Sequence, residues 1–189
     1  HMGLFGAVRD SEITDLTVSP GHVITAGETA GILAGSVQDS VIRNVAVAGA
    51  LKTAGNTGGI AGEIAGTVVE NCTADHVAMD LGKGKETFAG GITGKAAGSV
   101  ISDCTVNTGD SLNARIQGGG YVGGITGFQN DTDIFNAHVM GTIGGSGSQA
   151  IGGVTGKYAS GKMKVARFEG RIASSGLGSS AREGTFIGT

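Results

Sequence analysis

Gly58-Gly59-Ile60-Ala61-Gly62 opens a pattern that returns as Gly90-Gly91-Ile92-Thr93-Gly94, Gly123-Gly124-Ile125-Thr126-Gly127 and Gly152-Gly153-Val154-Thr155-Gly156. Looser copies precede these at Gly3-Leu4-Phe5-Gly6 and Gly31-Ile32-Leu33-Ala34-Gly35, and a cut-off one follows at Gly184-Thr185-Phe186-Ile187-Gly188. Self-similarity at a fixed period marks a repeat architecture and decides the fold before any local reading does. The last glycine of each copy serves as an anchor: Gly6, Gly35, Gly62, Gly94, Gly127, Gly156 and Gly188. Successive anchors lie 29, 27, 32, 33, 29 and 32 residues apart.

A hydrophobic ladder accompanies the anchors. Two residues before each stand Leu4, Leu33, Ile60, Ile92, Ile125, Val154 and Phe186. Seven residues after stand Ile13, Ile42, Val69, Ile101, Ile134 and Met163. Ten after come Leu16, Val45, Cys72, Cys104, Ala137 and Ala166; twelve after come Val18, Val47, Ala74, Val106, Val139 and Phe168. With a hydrophobic fraction of 39%, such agreement is not chance. The alternation is that of strands, with one extra residue marking a bend. At that bend, nine after the anchor, sit Asp15, Asn44, Asn71, Asp103 and Asn136, residue types that tolerate left-handed backbone; Val165 breaks the rule. Further apolar positions, Val23, Leu51, Val77, Ile143 and Ile172, are expected on a second strand.

One such unit cannot bury its apolar face alone, but stacked units can. The expected fold is all-β: a right-handed parallel β-helix, or β-solenoid, of about six coils with two or three short strands each. A rung spacing of about 4.8 Å makes the stack about 29 Å long. The glycine box then reads as a corner too crowded for side chains. A phosphate-cradling reading of the same glycines fails, because no helical pattern follows any copy. Period variation is concentrated in Asp80–Glu86, Thr108–Gly120 and Gly144–Ser148, which are expected to project along one edge. A binding edge would carry Lys83, Lys85, Asn113, Arg115 and Tyr121.

Composition restricts the function. The 189 residues amount to a single domain, 3–189, after a His1-Met2 pair that reads as a cloning remnant. Both ends fall inside a glycine box, as expected of a piece of a longer array whose open ends invite end-to-end self-association. The net charge is −3 with 15% charged residues, and no basic stripe for nucleic acid stands out. No apolar run reaches membrane-spanning length, so no membrane insertion is expected. Cys72 and Cys104 share an offset in consecutive coils and are expected as stacked, buried free thiols. No CxxC or HxxxH accompanies them, and His22, His76 and His138 fall at unrelated offsets, so neither a metal nor any other cofactor is expected. The outward columns collect no acids, which argues against a carbohydrate-active β-helix enzyme. Arg43 over Glu70 and Asp133 over Lys162 read as exposed cross-strand ion pairs. Asn71-Cys72-Thr73 and Asn130-Asp131-Thr132 fit the glycosylation sequon by accident of the repeat.

The box, followed by Glu70-Asn71-Cys72-Thr73-Ala74 or Ser102-Asp103-Cys104-Thr105-Val106, resembles the GLUG-motif repeat. The opening Gly3-Leu4-Phe5-Gly6 with Ile13-Thr14-Asp15-Leu16-Thr17-Val18 is similar to repeats ahead of the catalytic domain in bacterial immunoglobulin A protease-type zinc metallopeptidases. The resemblance implies a non-catalytic segment of a secreted or wall-attached bacterial protein. No peptidase residue carries over, since HExxH is absent. The expected function is an extracellular structural or adhesin-like binding module whose partner is a host or matrix protein or a glycan. The alternative is a non-catalytic flank, or substrate-recognition region, of a secreted metallopeptidase or carbohydrate-active enzyme.

Overall fold

The computed structural model describes residues 1–82, 84, 86–109, 116–118, 120–146, 148–175 and 182–184. Every regular element among them is a strand, and every strand pairing is parallel. The chain winds as a right-handed parallel β-helix of about five turns. Four sheets run along its length. The first holds Phe5–Arg9, Ala34–Gln38, Ala61–Ala65, Thr93–Ala97, Thr126–Asn130 and Thr155–Tyr158, each directly after a box. The second holds Glu12–Thr14, Val41–Arg43, Val68–Glu70, Val100–Ser102, Asp133–Phe135 and Met163–Lys164. The third has ten strands in two half-columns, which merge in His138–Ser146 and Arg167–Ser175. The fourth, Ala30–Gly31 through Arg182–Gly184, leads into the next box.

Equal offsets stack as the repeat requires. Ile13, Ile42, Val69, Ile101, Ile134 and Met163 are successive Cα partners. So are Val18, Val47, Ala74, Val106, Val139 and Phe168. Ile42, Val69, Ile101 and Ile134 are fully buried. Each such side chain contributes about 1.5–3 kcal/mol by leaving water, so the ladder is the main stabilising element.

The full coils carry more strands than the two or three expected. The coil of residues 30–53 has five. Left-handed corners interrupt the strands. At the anticipated corner Asp15, Asn44, Asn71, Asp103 and Asn136 have φ of 55°, 53°, 51°, 54° and 46°. Another, five residues earlier, uses Asp10, Asp39, Gly66, Gly98 and Asp131, with φ of 48°, 47°, 57°, 55° and 45°. Beside it runs a buried hydroxyl column that the apolar pattern does not show. Ser40 Oγ donates to the Gln38 carbonyl at 2.6 Å and accepts the Ser11 N–H at 3.1 Å. Thr67 N–H donates to Ser99 Oγ at 3.2 Å, and Ser99 N–H to Thr132 Oγ1 at 3.3 Å. Each hydroxyl thereby satisfies backbone groups that the bend removes from the sheets.

The box glycines are required by close approach. A Cβ on Gly91 would sit 2.3 Å from the Gly124 carbonyl oxygen and 2.4 Å from Val106 Cγ1. A Cβ on the anchor Gly94 would meet the Thr57 nitrogen of the preceding coil at 2.5 Å. Gly6, with no complete coil before it, has only His1 O at 4.0 Å. Gly188 lies outside the described residues.

Two expectations about the third sheet need correction. Its second half-column is Ile24, Leu51, Met79, Ile116, Ile143 and Ile172. Val23 is not in this ladder; it is 53% exposed, and Ile24 takes its place. Val77 is buried but precedes the strand, where Met79 stacks instead. Because Ile116 belongs to this ladder, the insertions do not share one corner. Thr108 and Gly109 follow the first half-column and Ile116 already belongs to the second, whereas Leu81, Gly82, Gly84 and Glu86 come after the second one. Gly144 to Ser146 complete the strand His138–Ser146 rather than forming a loop.

Candidate functional site

Three of the five residues in each of the four full boxes are glycines without side chains, so the residues flanking a box converge across the junction of the fourth and first sheets. On one side Phe88 and Tyr121 are Cα partners. On the other Lys95, Phe128 and Lys157 are partners in succession. The rings of Phe88 and Tyr121 stack with centroids 5.4 Å apart and planes at 19°. Phe88 and Phe128 meet at 5.2 Å and 32°. Lys157 Nζ lies 4.9 Å from the centre of the Tyr121 ring and 5.5 Å from that of Phe128. All three aromatics are half-buried. The Tyr121 hydroxyl donates to Gln149 Oε1 at 2.9 Å.

Further toward the start of the chain the same junction is polar. Asn56 Nδ2 donates to Glu63 Oε1 at 2.6 Å, and Asn56 Oδ1 accepts the Phe88 N–H at 3.2 Å. Ser36, Glu63, Lys95 and Ala97 line a shallow hollow of about 220 Å³ beside it. Neither Lys95 nor Lys157 has a carboxylate within 4.0 Å among the described residues. The cation–π contacts of Lys157 are each worth about 0.5–2 kcal/mol and hold its ammonium over the rings. This surface offers apolar ring edges, two cations and amide groups within a few rungs. Aromatic faces and ammonium groups in such proximity can make apolar, cation–π and charge contacts.

Of the expected binding edge, Tyr121 is in this cluster, while Lys83, Lys85, Asn113 and Arg115 lie outside the described residues. Phe88, Phe128 and Lys157 were not anticipated as its neighbours. Their signal was present: they stand six before, one after and one after their anchors, the two outward positions beside a box.

The other candidates separate. The corner residues form side-chain ladders on the opposite part of the coil. Asn44 Nδ2 donates to Asp15 Oδ1 at 2.9 Å, Asn71 Nδ2 to Asn44 Oδ1 at 2.7 Å, and Asn136 Nδ2 to Asp103 Oδ1 at 2.6 Å. Arg43 pairs with Glu70 at 2.8 Å and with Glu12 at 3.4 Å, and Lys162 with Asp133 at 3.8 Å. His76 Nδ1 meets Asp75 and His138 Nε2 meets Glu169, each at 2.8 Å, on different coils. The hydrogen bond from His138, with help from Arg167, holds the Glu169 carboxyl below its ordinary range.

Cys72 and Cys104 are free, stacked and fully buried. Their thiols donate to the carbonyls two residues back, Glu70 and Ser102, each at 3.2 Å. The neighbouring Cys72 thiol and burial together push the Cys104 thiol well up, so it stays protonated. Among the described residues no group of three or more His, Cys, Asp or Glu is placed to hold a metal ion, and no helix is long and apolar enough to cross a membrane. No protein-family model matches the chain, and a search of curated proteins finds no match.

Proposed function

We propose that this chain is a non-catalytic structural and binding module of a large extracellular or wall-attached bacterial protein. The observation that carries this reading is the aromatic–lysine cluster of Phe88, Tyr121, Phe128, Lys95 and Lys157 on an otherwise weakly charged solenoid. Aromatic residues are scarce here, six Phe and two Tyr with no Trp, yet three of them meet at one outer junction. Aromatic and cationic side chains are the types that dominate contact energies at recognition surfaces. The partner is a host or matrix protein or a glycan. The resemblance of the boxes to GLUG repeats supports the extracellular setting.

The test is a glycan array together with a pull-down from extracellular host proteins. Wild type is compared with Tyr121→Ala and Lys157→Ala chains of unchanged circular dichroism. Capture that is lost in both variants supports the assignment. Capture unchanged by either substitution removes the junction as the binding surface, and no capture by any chain leaves a passive spacer.

The opening repeat, with its likeness to the metallopeptidase-associated repeats, favours one further reading: a flank of a secreted zinc metallopeptidase. An HExxH motif in the same polypeptide would support it, and a neighbouring glycosidase domain would favour carbohydrate recognition instead.

A further inference from the structure

The aromatic–lysine cluster turns positive poles toward solvent. Phe88 and Tyr121 are neighbours along the solenoid axis, and their rings stack at 5.4 Å with planes at 19°. Phe128 joins them at 5.2 Å, tilted by 32°. Rings stacked along the axis present their edges outward, and an aromatic edge is the positive part of the ring's quadrupole. The negative face of Tyr121 is already covered by Lys157 Nζ at 4.9 Å. Lys95, Phe128 and Lys157 occupy successive rungs of one outward column. Among the described residues neither ammonium has a carboxylate within 4.0 Å. The acid next to Lys95 in that column is Glu63, and Asn56 Nδ2 holds its Oε1 at 2.6 Å from across the box. The cations are thus left for a partner from outside.

We infer that this junction docks a linear acidic polysaccharide carrying a carboxylate on every second sugar, an inference that rests on the binding-module reading above. Lys95 and Lys157 are rooted two rungs apart, about 9.6 Å along the axis. An extended β-linked polysaccharide advances by about one rung per sugar. Carboxylates on alternate sugars therefore fall in step with the two ammoniums, and the neutral sugar between them lies against Phe128. An extended acidic peptide is out of step, because its same-face side chains repeat at about 6.7 Å. The hollow of about 220 Å³ beside Lys95 gives a ligand carboxylate access to that side chain. Opposed charges of this kind set the encounter rate and reject neutral competitors.

The experiment is calorimetric titration of the whole chain with three probes. They are an octasaccharide of alternating glucuronate and N-acetylglucosamine, its carboxyl-reduced form, and a glutamate oligomer of equal charge. The octasaccharide is expected to bind about tenfold tighter than either of the others, and to weaken as salt is raised. Lys95→Gln and Lys157→Gln are each expected to weaken it by about tenfold, while Lys95→Arg and Lys157→Arg retain it. Glu63→Gln removes the carboxylate beside Lys95 and is expected to tighten binding. Circular dichroism matched to wild type shows that each variant is folded. Equal affinity for the carboxyl-reduced form, equal or tighter binding of the glutamate oligomer, no effect of either lysine-to-glutamine change, or no binding of the octasaccharide would each overturn the proposal. Partner capture by the Tyr121→Ala and Lys157→Ala chains is read separately. Capture that depends on the junction but not on carboxylates would remove the acidic ligand and leave the binding module standing.

Discussion

Asn136 donates its side-chain amide to Asp103 Oδ1 at 2.6 Å, but Asp103 forms no such bond to Asn71 in the coil before it. The interruption is chemical. A carboxylate has acceptors and no donor, so Asp can begin a corner ladder and only Asn can extend it. Asp15, Asn44 and Asn71 form one ladder; Asp103 and Asn136 begin another.

Asp103→Asn is therefore expected to join the two ladders, its new amide donating to Asn71 Oδ1. The gain should be about 0.5–1 kcal/mol, read as a higher guanidinium midpoint with an unchanged slope. Asn71→Asp is expected to lower the midpoint, because it removes the donor to Asn44. Equal midpoints for all three chains would show that the ladder is decorative.

Val165 occupies the same corner with φ 53° and is 77% exposed. A β-branched residue in the left-handed region is strained, and nothing is gained by burial. Val165→Asn should stabilise by about 1 kcal/mol in thermal or chemical denaturation. A destabilised variant would mean that this coil does not share the corner geometry of the others.

Gly91→Ala is expected to cost about 3 kcal/mol or more, since its Cβ has only the Gly124 carbonyl and the Val106 methyls to enter. Gly27→Ala, where nothing lies within 4 Å, should be nearly neutral. Circular dichroism melts of the two variants make the comparison. Similar losses would contradict close approach as the reason for the box.

The Glu169 carboxyl is held low by His138 and Arg167. A depressed carboxyl stabilises the fold above its unfolded pKa, and that contribution is lost as pH falls through the folded value. Wild type should thus exceed Glu169→Gln in stability near neutral pH, and the two should converge in acid. The side chain is 44% exposed, so the difference will be small. A gap that persists in acid would assign the effect to packing.

Much of the architecture was legible because it depends on types repeated at fixed offsets. Ile13 to Met163 and Val18 to Phe168 are columns of apolar residues, and Asp15 to Asn136 is a column of Asx. The earlier corner was not legible, because Asp10, Asp39, Gly66, Gly98 and Asp131 mix two residue types that solve the same backbone problem differently. The buried column of Ser40, Thr67, Ser99 and Thr132 was hidden by its polarity, since burial there follows from bonds to backbone. Ile116 was lost inside a long insertion; without a constant spacing, only stacking on Met79 and Ile143 identifies its place. The Phe88–Tyr121–Phe128 cluster requires two outward positions on either side of a box to meet, which no single column reveals.

The stacking of equal offsets is tested most directly by distances between nitroxide labels in one outward column. Thr14, Phe135 and Lys164 share that column, four and five coils apart from the first. Labels on cysteines at Thr14 and Phe135, and at Thr14 and Lys164, are measured by pulsed electron resonance, with the buried Cys72 and Cys104 left unlabelled. Separations near 19 Å and 24 Å are predicted, a step of about 4.8 Å per coil. Distances that do not grow with the number of intervening coils would contradict the solenoid.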